Sequence, residues 1–221
     1  MKLWETLAAA TTPDGGRFEL RRHDGNYVIQ ADGYDLMTSY EHGSEDAMMS
    51  LACPRPREDA CILIGGLGMG YTLAATLDLL PPGGSVVVSE LVPEVVEWNR
   101  GPLGEHAGHP LRDERVTVHE VDVAVMLRAE VRAFDAILLD VDNGPDGLTQ
   151  EANNWLYSRA GLNASYEALR PKGVLAVWSA GPDRAFTKRL RKAGFEVEEV
   201  TVWAHRGKGA RHLIWVARIP A

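Results

Sequence analysis

The sequence predicts an α/β fold with a mostly parallel sheet covered by helices on both faces, preceded by a small antiparallel β-rich segment. Three observations carry this. From Cys61 onward, short apolar runs alternate with longer amphipathic stretches. The first of those runs, Cys61-Ile62-Leu63-Ile64, is apolar on both faces, so it belongs in the middle of a sheet, and it ends at a glycine-rich turn. Upstream, His23-Asp24-Gly25-Asn26 separates the β-prone residues 18–22 and 27–30, and Asp-Gly at that place is a hairpin signal.

The remaining elements follow in order. Asp32-Gly33 makes a second turn, Leu36-Met37-Thr38 a third short strand, and residues 44–53 a helix with Ser44 able to cap its first turn. After the central strand, residues 71–80 form a helix stopped by Pro81-Pro82-Gly83-Gly84, and Ser85-Val86-Val87-Val88-Ser89 is the next strand. A helix over 92–100 and strands over 116–120, 136–139 and 174–178 continue the series. Residues 165–170 lie in a helix that closes at Pro171-Lys172-Gly173. Residues 184–192 are a basic amphipathic helix, and 197–203 with 213–219 form a closing hairpin. The expected division is an N-terminal segment over 1–55 and a ligand-binding domain over 56–221.

Composition limits the partners. A chain of 221 residues, 45% apolar and 24% charged, fits one domain with a substantial core. Lys plus Arg number 23 against 31 Asp plus Glu, a formal charge of −8, and such a field repels polyphosphate and anionic membranes. Neither nucleic acid nor a membrane is an expected partner. No apolar run approaches the roughly 20 residues of a membrane helix, and the first residues lack a signal-peptide core, so a cytoplasmic location is expected. Cys53 and Cys61 have no Cys or His companions at ligand spacing and read as buried thiols. No metal is required.

The turn Gly65-Gly66-Leu67-Gly68-Met69-Gly70 lets backbone approach a ligand without Cβ clashes, at the exposed amides of a helix N-terminus. A dinucleotide fingerprint would want a small residue where Tyr71 stands, so NAD is disfavoured. Glu90 ends the second strand, where a carboxylate can accept from both hydroxyls of a ribose, and Asp122 follows the third, in reach of an adenine amino group. Glycine loop and two acids at successive strand ends describe an adenosine pocket.

These residues carry a resemblance. Ile62-Leu63-Ile64-Gly65-Gly66, Ser89-Glu90-Leu91-Val92-Pro93-Glu94-Val95-Val96, Val121-Asp122, Phe134-Asp135-Ala136-Ile137-Leu138-Leu139-Asp140 and Leu169-Arg170-Pro171-Lys172-Gly173-Val174-Leu175 resemble the spermidine synthase-like branch of the class I S-adenosylmethionine-dependent methyltransferase superfamily. The resemblance implies a Rossmann-like seven-stranded sheet after a β-rich segment, with Gly65, Gly66, Gly68 and Gly70 cradling the cofactor. It implies Glu90 on the ribose, Asp122 on the adenine, and Asp140 as the acid that deprotonates an acceptor amine. Family members are often dimers through the N-terminal segment, which makes a homodimer an open expectation.

Asp140 begins the loop Asp140-Val141-Asp142-Asn143-Gly144-Pro145. Its carboxylate can steady a sulfonium, bind a cofactor amino group, or handle the acceptor's proton, and a close Asp142 would raise its pKa. An Asx-turn is the competing reading of Asp142. By the resemblance Glu45 could supply an acid of the family's polyamine tunnel; Tyr157 and Trp178 are candidate substrate contacts, each with a packing alternative, and His42 and His212 belong to no recognisable constellation. The family's glycine loop carries an Asp where this chain has Gly68, and its upstream segment, lining the polyamine tunnel, a Gln where this chain has Leu36-Met37. The expected activity is therefore methyl transfer from S-adenosylmethionine to a small-molecule acceptor. The alternatives are polyamine aminopropyl transfer from decarboxylated S-adenosylmethionine, and a non-catalytic adenosyl-ligand sensor.

Overall fold

The computed structural model describes residues 3–12, 15–141, 154–205 and 207–220. The N-terminal strands β1 (Glu5–Thr11), β2 (Arg17–His23), β3 (Asn26–Ala31) and β4 (Tyr34–Thr38) form an antiparallel meander. His23 pairs with Asn26 and Ala31 with Tyr34. The two intervening residues of each turn, Asp24-Gly25 and Asp32-Gly33, all have positive φ, the type I′ geometry that Asp-Gly favours. Helix α1 (Gly43–Ala52) leads out of the meander.

The larger sheet runs β10 (Glu196–His205), β11 (Lys208–Arg218), β9 (Leu169–Ser179), β8 (Phe134–Leu139), β5 (Cys61–Gly65), β6 (Ser85–Ser89), β7 (Val116–His119). Strands β5 to β9 are parallel, and β11 is antiparallel to both its neighbours. The connecting helices are α2 (Tyr71–Leu79), α3 (Pro93–Arg100), α4 (Val123–Ala129), α5 (Asn154–Tyr157), α6 (Arg159–Ala168) and α7 (Arg184–Lys192). The chain leaves β5 toward β6 and β7, then returns to β5's other side at β8. The switch in strand order at β5 opens a crevice at the carboxyl ends of the parallel strands, where open α/β sheets take their ligands.

The period of two along β5 divides the core. Ile62 and Ile64 join Val86, Val88 and Leu138 on one face, packed with Leu20, Ile29, Met48 and Met49 from the N-terminal segment. Leu63 joins Ile137, Leu139, Leu175 and Val177 on the other, packed with Leu127, Leu162, Phe186 and Leu190 from the helices. The meander thus shares a core with the larger sheet, and α1 packs against α2, β9 and β10.

Several expectations are corrected. Residues 5–11 are a strand, which Ala8-Ala9-Ala10 does not announce. Helix α6 ends at Ala168, and β9 begins at Leu169. The Pro171-Lys172-Gly173 stretch is a register shift within that strand, with Lys172 at φ 66. Ser44 does not cap α1: His42 occupies the cap position, without a side-chain bond to the helix. Cys53 and Cys61 are free thiols, half-buried rather than buried. Among the described residues no helix is long and apolar enough to cross a membrane.

Candidate functional site

Four strand ends meet at the crevice. Gly66 follows β5, Glu90 follows β6, Asp122 follows β7 and Asp140 follows β8, and all four line one open cleft. The parallel register brings them together: Gly65 pairs with Ser89 on one side and Leu139 on the other, and the Asp140 amide donates to the Gly65 carbonyl at 2.9 Å.

The glycine loop is held from below by Glu90. Its Oε2 accepts from the Leu67 amide at 2.8 Å and its Oε1 from the Val92 amide at 2.9 Å. Burial pushes this carboxyl up, and the amides of Val92, Leu67, Leu91 and Gly68 oppose that rise. Two more of the loop's amides are occupied: Gly66 donates to the Ser89 carbonyl and Gly70 to that of Leu67. At Gly66, with φ 89, a Cβ would collide with the Asp140 backbone oxygen, so no other residue fits. At Gly68 a Cβ would lie 2.5 Å from Met37 Cε, because the Met37 side chain reaches down from β4 onto the loop.

Asp122 caps α4, its Oδ1 accepting from the Ala124 amide at 2.8 Å, while the residue also lines the cleft. Asp140 opens onto the cleft and is enclosed elsewhere. Its Oδ2 accepts from Thr72 Oγ1 at 2.6 Å, and the enclosure lifts its carboxyl to about 6 against that bond. Glu45, on α1, faces the same space. Burial, and then the Asp140 charge, push it up to about 7.

The other expected residues divide between the cleft wall and its surroundings. Trp178 lines the cleft with its indole N–H tied to Ser44 Oγ at 2.9 Å. Tyr157 is buried away from the cleft lining, edge-on to Phe186, with its hydroxyl donating to the Val141 carbonyl at 3.2 Å. Gly65 and Gly70 shape the loop without lining the cleft: Gly65 ends β5, and Gly70 starts α2 beside Asn99. Asp142 lies outside the described residues.

Sequence reasoning missed the roof and the braces. Phe18, Ile29, Leu36 and Met37 from the meander close the cleft from above. Asn99 of α3 donates to the Gly68 carbonyl at 2.7 Å and so fixes the loop, and Thr72 fixes Asp140. Only the i, i+4 step from the apolar Val95 and the position of Thr72 at the start of a helix hinted at these two.

No family model matches the chain, and no curated protein matches it in sequence. Solved structures do match. Spermidine synthase from Thermotoga maritima superposes with a TM-score of 0.78 at 18% identity, over 100% of this chain and 80% of that one. The fold is that of the spermidine synthases. A spermidine synthase in complex with the transition-state analogue AdoDATO gives 0.76 at 19% identity, over 97% and 74%. A probable spermidine synthase from Corynebacterium glutamicum ATCC 13032 gives 0.68 at 13%, over 99% and 81%.

Proposed function

We propose that the chain is a transferase of the spermidine synthase type, moving the aminopropyl group of decarboxylated S-adenosylmethionine onto an amine. One observation carries this: the titratable residues lining the cleft, Glu45, Glu90, Asp122 and Asp140, are all acids, with no Lys, Arg or His among the described lining. An all-acid cleft favours cations, here a sulfonium and ammonium groups, and disfavours the carboxylate that intact S-adenosylmethionine carries. The loop's amides at Gly66, Leu67 and Gly70 offset little of that repulsion, since they are already bonded within the protein. The similar fold of a spermidine synthase solved with the transition-state analogue AdoDATO supports an adenosyl-type ligand.

The residues fit such a donor. On this reading Glu90 takes the ribose hydroxyls and Asp122 the adenine amino group, and the donor when bound supplies an electrophilic carbon next to its sulfonium. Asp140 takes the acceptor's proton, the nitrogen bonds to that carbon, and the carbon–sulfur bond breaks with its electron pair going to sulfur. Holding the two reactants in line is worth about 7–11 kcal/mol in favourable cases.

Methyl transfer from S-adenosylmethionine is the second reading. It is favoured by Met37, which covers Gly68 where an acid would meet the donor's amine. Incubating the protein with each donor and a panel of mono- and diamines, with product masses read by spectrometry, separates the two. The aminopropyl adduct is expected; a methyl adduct alone would overturn the first reading, and no adduct with either donor would leave the sensor.

A further inference from the structure

Behind the cleft, Glu45 is bonded to a polar chain that the transfer chemistry does not itself require. Ser44 is fully buried, and its Oγ lies 2.5 Å from Glu45 Oε2, 2.8 Å from His212 Nδ1 and 2.9 Å from Trp178 Nε1. Ser44 and His212 are 168 positions apart, brought together where α1 packs on β11.

Valence restricts how these groups can bond. A serine hydroxyl has one hydrogen and two lone pairs, and an indole N–H only donates. Trp178 therefore takes one lone pair of Ser44, and Glu45 and His212 share its hydrogen and its other lone pair. Two arrangements are complete. In the first, Ser44 donates to an ionised Glu45 and accepts from His212 Nδ1–H. In the second, a protonated Glu45 donates to Ser44, Ser44 donates to Nδ1, and the imidazole carries its proton on Nε2. They differ by one proton on Glu45 and by the tautomer of His212.

We propose that Glu45, Ser44 and His212 form a proton relay that drains the cleft of the proton an amine acceptor gives up. This rests on the reading that the acceptor is an amine: its ammonium gives one proton to ionised Glu45 before the nitrogen attacks, and Asp140 takes the second as the carbon–nitrogen bond forms. In passing from the second arrangement to the first, the Oε2–H, Oγ–H and Nε2–H bonds break. New bonds form from hydrogen to Ser44 Oγ, to Nδ1 and to a solvent water, leaving Glu45 ionised, and the ring returns to its Nε2–H tautomer by proton exchange with solvent when Glu45 is next protonated. His212 is half-buried and its Nδ1 is on Ser44, which leaves Nε2 as the exit for the proton. The surrounding charges suit the role. Glu45 faces Asp140 across the cleft and His42 at the start of its own helix, and it titrates close to neutrality. His212 faces Glu41, yet burial holds it below the usual imidazole range, so it relays as a neutral ring. Trp178, placed in the cleft wall, locks the hydroxyl by occupying a lone pair.

Nitrogen NMR of His212 in the ligand-free protein reads the chain directly. Between roughly pH 6 and pH 8, His212 is expected to pass from the Nε2–H to the Nδ1–H tautomer as Glu45 ionises, and Glu45→Gln is expected to abolish that change. A tautomer ratio equally constant in both proteins would overturn the relay. In turnover, His212→Ala and His212→Gln are expected to lower kcat about tenfold with KM unchanged, and added imidazole to restore His212→Ala. Full activity in His212→Gln, which keeps a bond to Ser44 but cannot pass a proton, would also overturn it. Absence of turnover in the unaltered protein would count against transfer to an amine and not against the chain, whose tautomer response needs no ligand.

Discussion

Asp140 and Glu45 set the acid–base behaviour of the cleft. Asp140→Asn is expected to lower kcat by about 10²- to 10⁴-fold while leaving donor affinity within a few-fold, measured by single-turnover kinetics and calorimetry. Both carboxyls sit above their ordinary values of 3.8 and 4.5 in the fold, so the folded state holds protons the unfolded chain has released. Their contribution to stability is complete below about pH 4 and is lost as pH rises through 6 to 7. The ligand-free protein should therefore show a falling Tm over that interval by calorimetry, and Glu45→Gln should flatten part of the fall. An unchanged slope in that variant would contradict the assignment. Gly68 makes a third residue-scale case: Gly68→Asp places a Cβ against Met37 and should cost about 1 kcal/mol in urea denaturation at a φ of 52, with Met37→Ala relieving it. The doubly substituted protein should bind the decarboxylated donor more tightly and the intact one no better. Glu90, Asp122 and Asp140 were legible in the sequence because strand ends in a parallel sheet are predictable from apolar runs. Ser44, His212, Thr72 and Asn99 were not, since their roles depend on partners far away in the chain.

At the scale of elements, the loop after β5 owes its shape to supports on both sides. Glu90 holds it from β6's end and Asn99 from α3, and the roof over it comes from β4. Helix α7 shows how local chemistry fixes an element independently: Asp183 accepts from the amides of Ala185 and Phe186 and pairs with Arg189. Asp183→Ala should cost about 1 kcal/mol, read from the urea midpoint, with no change in donor affinity. The parallel strands and the Asp-Gly turns were legible because each carries its own signal, apolar on both faces or a required left-handed pair. Strand β1 carries neither. Its alanines favour helix, and it is a strand because β2 offers a partner along its whole length. The α6–β9 boundary was missed for a related reason: pairing of Leu169 with Phe134 overrides the helix-ending signal of Pro171.

For the whole molecule, a net charge of −8 and an acid-lined cleft draw cations from solution, an attraction screened beyond about 10 Å at 0.1 M salt. Ligand affinity should accordingly weaken as salt rises. The meander and the larger sheet share one hydrophobic cluster, so the roof and the floor of the cleft are parts of one packed body. The most direct measurement is a calorimetric titration of the intact protein with decarboxylated S-adenosylmethionine, with S-adenosylmethionine and Glu90→Gln as comparisons. Tighter binding of the decarboxylated donor, weakened at least tenfold by that substitution, or about 1.4 kcal/mol, is the predicted result. Heat from neither donor, or binding indifferent to Glu90, would contradict the account.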